Sequence, residues 1–293
     1  MNGFQGPEPS PHQVRIGPAG WSYKDWEGVV YPEAPGRRFD QLAYLARFFD
    51  AIEVNSSFYR IPPPAHAVSW ARRTAFNPGF RFTAKLYRGF THEKEAAPGD
   101  ADAFRRFLDP LAEAGRLGAV LVQFPWSFRN DPENRARIAG ILKDLAPYPK
   151  AVEVRHASFD DPEFFAMLDG SGTAFVNLDQ PLFGDSIKPS AVGTGELGYV
   201  RFHGRNYQKW FAHSDSWERY DYLYSAEELR PWVGRIRSLA TEREVYVVTN
   251  NHFRGQAIVN AVELKQALGQ PVEIPEPLAR AYPGRFEAGN LLG

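Results

Sequence analysis

The stretch "AVEVRH", residues 151–156, alternates apolar and charged side chains. A β-strand turns successive side chains to opposite faces, so a strand here places Glu153 and Arg155 together, two residues apart. On a sheet open to water that face would meet solvent. In a closed barrel it would line the interior, so the fold turns on what surrounds this strand.

Seven further β-branched runs flank it: "VRIGPAG" (14–20), "AIEVNSS" (51–57), "FRFTAKLY" (80–87), "GAVLVQFP" (118–125), "TAFVNLDQ" (173–180), "YVRFHGR" (199–205) and "VYVVTNN" (245–251). Helix-like stretches separate several of them. Residues 65–74 follow a triple-proline stop at Pro62, Pro63 and Pro64, and a second helix runs from Asp100 through Phe104, Phe107 and Leu111 to about Gly115. "DPENRARIAGILKDL" and "SAEELRPWVGRIRSLA" begin with the N-cap candidates Asp131 and Ser225, and "RGQAIVNAVELKQALG" stops at Gly269. This β/α rhythm predicts an α/β fold, a single-domain TIM-type (β/α)8 parallel barrel. An open doubly wound sheet is the alternative, but no GxGxxG fingerprint follows the first strand. The expected organisation is a flexible N-terminal tail at 1–13, the barrel at 14–275 and a C-terminal extension at 276–293.

With 293 residues, 43% hydrophobic and 24% charged, the chain can bury a large core without metal or disulfide support. It has no cysteine, which excludes a disulfide framework, a zinc ribbon and thiol catalysis. A net charge of -1 gives no global attraction for nucleic acid or an acidic membrane. The opening residues lack a basic, then apolar, export pattern, and no run approaches 18 apolar residues. A cytoplasmic protein without membrane contact is expected.

Strict parity sends Glu53 and Asn55, Thr83 and Lys85, Leu121 and Gln123, Glu153 and Arg155, Asn177 and Asp179, Arg201 and His203, and Val248 and Asn250 inward, with Arg15 and Gly17 on the first strand. Barrel interiors are normally layered with Val, Ile and Leu, so a polar residue on every strand is a large departure. A deeper layer of Arg15, Glu53, Glu153 and Arg201 would neutralise itself, whether or not it serves chemistry. The upper layer, Lys85, Gln123, Arg155, Asp179, His203 and Asn250, suits a small anion held by forked hydrogen bonds. His203 is the expected proton carrier, with Asp179, Glu53 or Glu153 as partner and Lys85 stabilising negative charge or, alternatively, forming a Schiff base. His92, Trp21, Tyr59 and Arg205 are expected on the rim, where aromatic rings could stack a sugar or base. A divalent metal on Glu53, Glu153, Asp179 and His203 is the rival chemistry, opposed by the neighbouring cations Lys85, Arg155 and Arg201.

The strings "GPAGWSYKDWEGVVYP", "FDAIEVNSSFYRIP", "VLVQFPWSF", "VEVRHASF", "YVRFHGRN" and "NNHFRGQAIVNAVEL" resemble the DUF72 family, also called YecE-like proteins, over residues 14–269. Pro18 and Ala19 stand where that family more often carries small hydroxyl residues. The resemblance implies the same barrel and no particular activity, since the family is uncharacterised. The expected function is therefore a soluble enzyme that binds a small phosphate- or carboxylate-bearing metabolite at the C-terminal mouth. Its expected chemistry is phosphoester hydrolysis or isomerase-type proton transfer. A non-catalytic metabolite or nucleotide binding module is the alternative, and a metal-dependent nuclease-like barrel the third.

Overall fold

The computed structural model describes residues 13–93, 96–212, 215 and 217–286. Its eight parallel strands are β1 (Val14–Pro18), β2 (Ala51–Val54), β3 (Arg81–Lys85), β4 (Leu117–Gln123), β5 (Lys150–Glu153), β6 (Ala174–Asp179), β7 (Leu197–Phe202) and β8 (Glu244–Thr249). They are hydrogen-bonded in the order β1-β8-β7-β6-β5-β4-β3-β2. The ends of that series meet: Ala19 bridges Glu53 in parallel, and Gly20 N–H donates to Glu53 O at 2.8 Å. The result is a nearly closed barrel, the single-domain TIM-type fold expected from the strand count.

Closure brings β1 and β2 together more tightly than a side chain allows. A Cβ on Gly17 would lie 1.7 Å from the Ala51 carbonyl oxygen, so only glycine lets the two strands meet. Two apolar layers follow from strand parity. Ala51, Ala119, Leu121, Ala151, Ala174, Val176, Tyr199, Tyr246 and Val248 fill the interior, and the alternate residues pack outward against the helices. At the N-terminal end Tyr246 fits the space left by Gly118, and Arg15 pairs with Glu244. Arg15 therefore belongs to the base of the barrel and not to the layer of Glu53 and Glu153 in which parity alone had grouped it.

Among the described residues, ten α-helical segments surround the strands: α1 (Gln41–Leu45), α2 (Ser56–Tyr59), α3 (Pro64–Arg73), α4 (Arg88–Thr91), α5 (Asp100–Glu113), α6 (Pro132–Asp144), α7 (Pro162–Gly170), α8 (Ala226–Ala240), α9 (Gln256–Ala267) and α10 (Glu276–Ala281). Both predicted N-caps act as such. Asp131 accepts from Asn134 N–H at 2.8 Å, and Ser225 forms a reciprocal capping box with Glu228. α10 lies in the segment expected as an extension and buries Leu278 completely. Residues 1–12 of the expected tail and 287–293 of that extension fall outside the described residues. No helix among the described residues is long and apolar enough to cross a membrane.

The inward-facing assignment fails on β6. Ala174 and Val176 occupy the interior, whereas Asn177 and Asp179 point away from it. The cause is the β6–β7 connection, which contains no helix and folds back along the outer side of β6. Asn177 bonds to Val192 and Ser190 of this segment, and Thr194 Oγ1 accepts from Phe175 N–H at 2.8 Å. Polar residues on that face are satisfied by loop backbone where an apolar helix would otherwise sit. Replacing Gly17 with Ala is expected to destabilise the chain by at least about 1–3 kcal/mol in chemical denaturation, because a backbone carbonyl must move. An unchanged midpoint would show that the β1/β2 seam is loose.

Candidate active site at the C-terminal mouth

The polar interior is built in steps from the middle of the barrel towards its C-terminal end. Tyr199 Oη donates to Glu53 Oε2 at 2.9 Å and lies 2.9 Å from Thr83 Oγ1. One turn of parity higher, the Arg201 guanidinium spans the barrel. Its Nη2 donates to Glu53 Oε1 at 2.6 Å and its Nη1 to Glu153 Oε2 at 2.5 Å. All three groups are essentially excluded from solvent. Glu153 Oε1 then accepts from Arg155 Nε at 3.0 Å, from Arg155 Nη2 at 2.8 Å and from His203 Nε2 at 3.1 Å. The shared face of Glu153 and Arg155 is thus the closed interior, as the alternation in "AVEVRH" requires.

Burial alone would push the Glu153 carboxyl up, but Arg201, His203 and Arg155 together hold it well below the usual carboxylate range. Burial likewise disfavours a charged His203, Arg155 and Arg201 add repulsion, and these outweigh Glu153 to bring the imidazole down to about 3. Asn250 Nδ2 lies 3.1 Å from His203 Nδ1. With that amide donating, the neutral ring carries its proton on Nε2, aimed at Glu153. His203 is thus held as a hydrogen-bond partner of Glu153, in surroundings that favour its neutral form. Trp210 closes over this layer, its ring 5.6 Å from the Arg155 guanidinium.

Lys85 stands apart. It ends β3 and lines a cavity of about 360 Å³ together with Tyr23, Asn55, Tyr59, Gln123, Arg201, Arg219, Tyr220, Asn250 and His252. Its ammonium sits 3.9 Å from the centre of the Phe58 ring and makes no hydrogen bond or ion pair among the described residues. The position is set locally: Ser57 Oγ lies 2.9 Å from the Val54 carbonyl and 2.6 Å from that of Lys85, tying the ends of β2 and β3 together. Burial and then the Arg201 charge bring the Lys85 amine down to about 7, against the weaker pull of Glu153 and Glu53. Asn55 Oδ1, Arg201 Nε and His252 Nδ1, on residues of the same cavity, are buried without a hydrogen-bond partner within the described protein.

Other sequence-predicted residues separate from this group. Asp179 accepts from Arg205 Nε at 2.8 Å and Nη2 at 2.6 Å, from Tyr224 Oη at 2.8 Å and from Trp232 Nε1 at 2.7 Å, on the α8 side of the sheet. It and Arg205 form a structural pair outside the barrel interior. Glu53, Glu153, Asp179 and His203 consequently do not converge as a ligand set, and no cluster of three or more His, Asp or Glu side chains suited to a metal occurs among the described residues. Trp21 packs edge-on against Trp70 at 5.3 Å and does not line the cavity. His92 meets the Phe58 ring at 4.8 Å, and burial, then Lys85 and Arg155, bring its imidazole down to about 4. Sequence reasoning missed His252, which shares the parity of Asn250 just beyond β8. It also missed Arg219 and Tyr220, which a long irregular segment delivers without a periodic signal.

Two substitutions separate these networks. Glu153→Gln should cost about 3–5 kcal/mol by leaving Arg201 half-compensated. Because Glu153 is depressed on folding, its contribution is full above the unfolded carboxyl value, about 4.3, and is lost as pH falls below it; the acid-side slope of stability should flatten in the variant. Asp179→Ala should cost a similar amount through Arg205, yet leave ligand binding in the cavity unchanged. A loss of both fold stability and cavity binding would mean that the two sites are coupled.

The match to the family model described as "Protein of unknown function DUF72" spans residues 15–283. UPF0759 protein YunF of Bacillus subtilis is 29% identical, with 87% of this chain and 94% of that protein covered. UPF0759 protein YecE of Escherichia coli is 28% identical over 57% of this chain and 56% of its own length. The crystal structure of a DUF72 family protein from Thermotoga maritima superposes with a TM-score of 0.77 at 35% identity, covering 88% of this chain and all of the other. With the same closed barrel, and with the "VEVRH" and "YVRFH" strands supplying its polar interior, the chain belongs to the DUF72 family.

Proposed function

We propose that this chain binds a small anionic metabolite at the C-terminal mouth of the barrel and moves a proton on it, with Lys85 as the proton carrier. The observation that carries the reading is the charge balance of the interior. Glu53 and Glu153 are matched by Arg201 and Arg155, which leaves Lys85 as a cation without a carboxylate at the floor of an open cavity. An anion placed there supplies the missing countercharge, and Gln123, Asn250 and Asn55 supply hydrogen bonds that orient it. An amine near 7 is matched to proton transfer at neutral pH. Isomerase-type transfer is favoured over phosphoester hydrolysis because both interior carboxylates accept from Arg201. Neither can take a proton from water without giving up that pair.

Sulfate, whose charge is constant across the relevant range, tests the anion site. Lys85 is depressed on folding, so the unliganded chain should gain stability as pH rises from about 7 towards the unfolded value of about 10.4. Sulfate favours the ammonium form, so its affinity should be greatest below about pH 7 and fall by up to about tenfold per pH unit above it. Lys85→Met should abolish the binding while raising the Tm of the free protein at neutral pH. Sulfate affinity that ignores both pH and this substitution would refute the assignment of Lys85. Proton transfer itself is read by solvent-deuterium incorporation into a panel of sugar phosphates and hydroxy acids. Tight binding without exchange in any of them would leave a non-catalytic binding module.

A further inference from the structure

We infer that Lys85 is a covalent site, and that the ligands this cavity takes are aldehydes or ketones bearing an anionic group, captured as an imine. The inference rests on the reading of the mouth as an anion site and names the chemistry performed there.

Three features point to it. The Lys85 amine opens onto the cavity and is held by a ring face, not by an acceptor, so no hydrogen bond must break before its lone pair is used. Burial keeps a large fraction of that amine uncharged near neutral pH, whereas an exposed lysine is uncharged in only about one part in a thousand. Cations of fixed charge, Arg201 and Arg219, line the same cavity and favour a ligand that carries an anionic group.

The step balances without an oxidant or reductant. The Nζ lone pair forms a C–N bond to the carbonyl carbon, and the C–O bond breaks. The carbonyl oxygen leaves as water carrying the two amine protons, and a C=N bond remains. Protonated from solvent, that imine withdraws electrons from the adjacent carbon. With its nitrogen in the imine, Lys85 acts by acidifying that carbon, whose proton leaves to water, and no longer as the proton carrier itself.

Glyoxylate is the probe, being a small aldehyde with a carboxylate of constant charge. The full chain is incubated with it near pH 7, reduced with borohydride, and mapped by peptide mass spectrometry. One carboxymethyl group on Lys85 is expected, formed at least about tenfold faster than on the exposed Lys24 or Lys143. Sulfate should slow it, and Lys85→Arg should remove it without loss of fold. Labelling that shows no preference for Lys85, while sulfate still binds through that residue, would overturn the imine and leave the anion site standing. Rapid labelling of Lys85 that sulfate neither slows nor competes with would support the imine and remove the anion reading. Unselective labelling together with no sulfate binding would remove both.

Discussion

Everything in the barrel interior is arranged around the guanidinium of Arg201. It reaches across the strands to a carboxylate on either side, Glu53 on β2 and Glu153 at the end of β5. Burial opposes the charge on all three groups, and it is sustained because each one satisfies the others. The guanidinium is the only common side chain that could do this, since it offers two forked donor pairs in one plane and stays charged when desolvated. Burial would weaken that charge, but the two carboxylates raise it above the ordinary arginine value.

The remaining polar residues take their roles from that pair. Glu153 has one oxygen left over, and it collects Arg155 and His203. This fixes His203 as a neutral donor, and Asn250 completes its ring on the far side. Tyr199 satisfies Glu53 from below. Among the described residues, the Lys85 ammonium at the mouth makes no ion pair with a carboxylate.

Most of the fold could be read from the sequence, because it depends on short-range periodicity. The eight strands, the caps Asp131 and Ser225 and the stop at Gly269 all express local preferences. The polar interior was also legible on seven strands, where apolar residues face an apolar helix layer and parity is therefore informative. On β6 the same rule pointed Asn177 and Asp179 the wrong way, since the connection that covers this strand is irregular and itself polar. The pairing of Arg15 with Glu244 was hidden for another reason. Parity tells which face a side chain takes but says little about its height along the barrel axis relative to residues far away in sequence. The surroundings of His203 were hidden in the same way: its residue type suggests an ordinary imidazole, whereas burial first, and then the Arg155 and Arg201 guanidinium groups, disfavour its charged form.

The helix-free connection after β6 also limits how this barrel can be altered. In most barrels of this kind each strand and its helix can be treated as a module, because an apolar strand face accepts any apolar helix face. Here the outer face of β6 is written in hydrogen bonds to particular atoms of residues 190–194 and to Arg205, Tyr224 and Trp232. A recombined chain that imported a helical unit at this point would bury Asn177 and Asp179 against hydrocarbon. The segment from β6 to α8 must therefore be inherited as one piece, and chimeric barrels of this family should tolerate crossover points elsewhere on the ring but not within it.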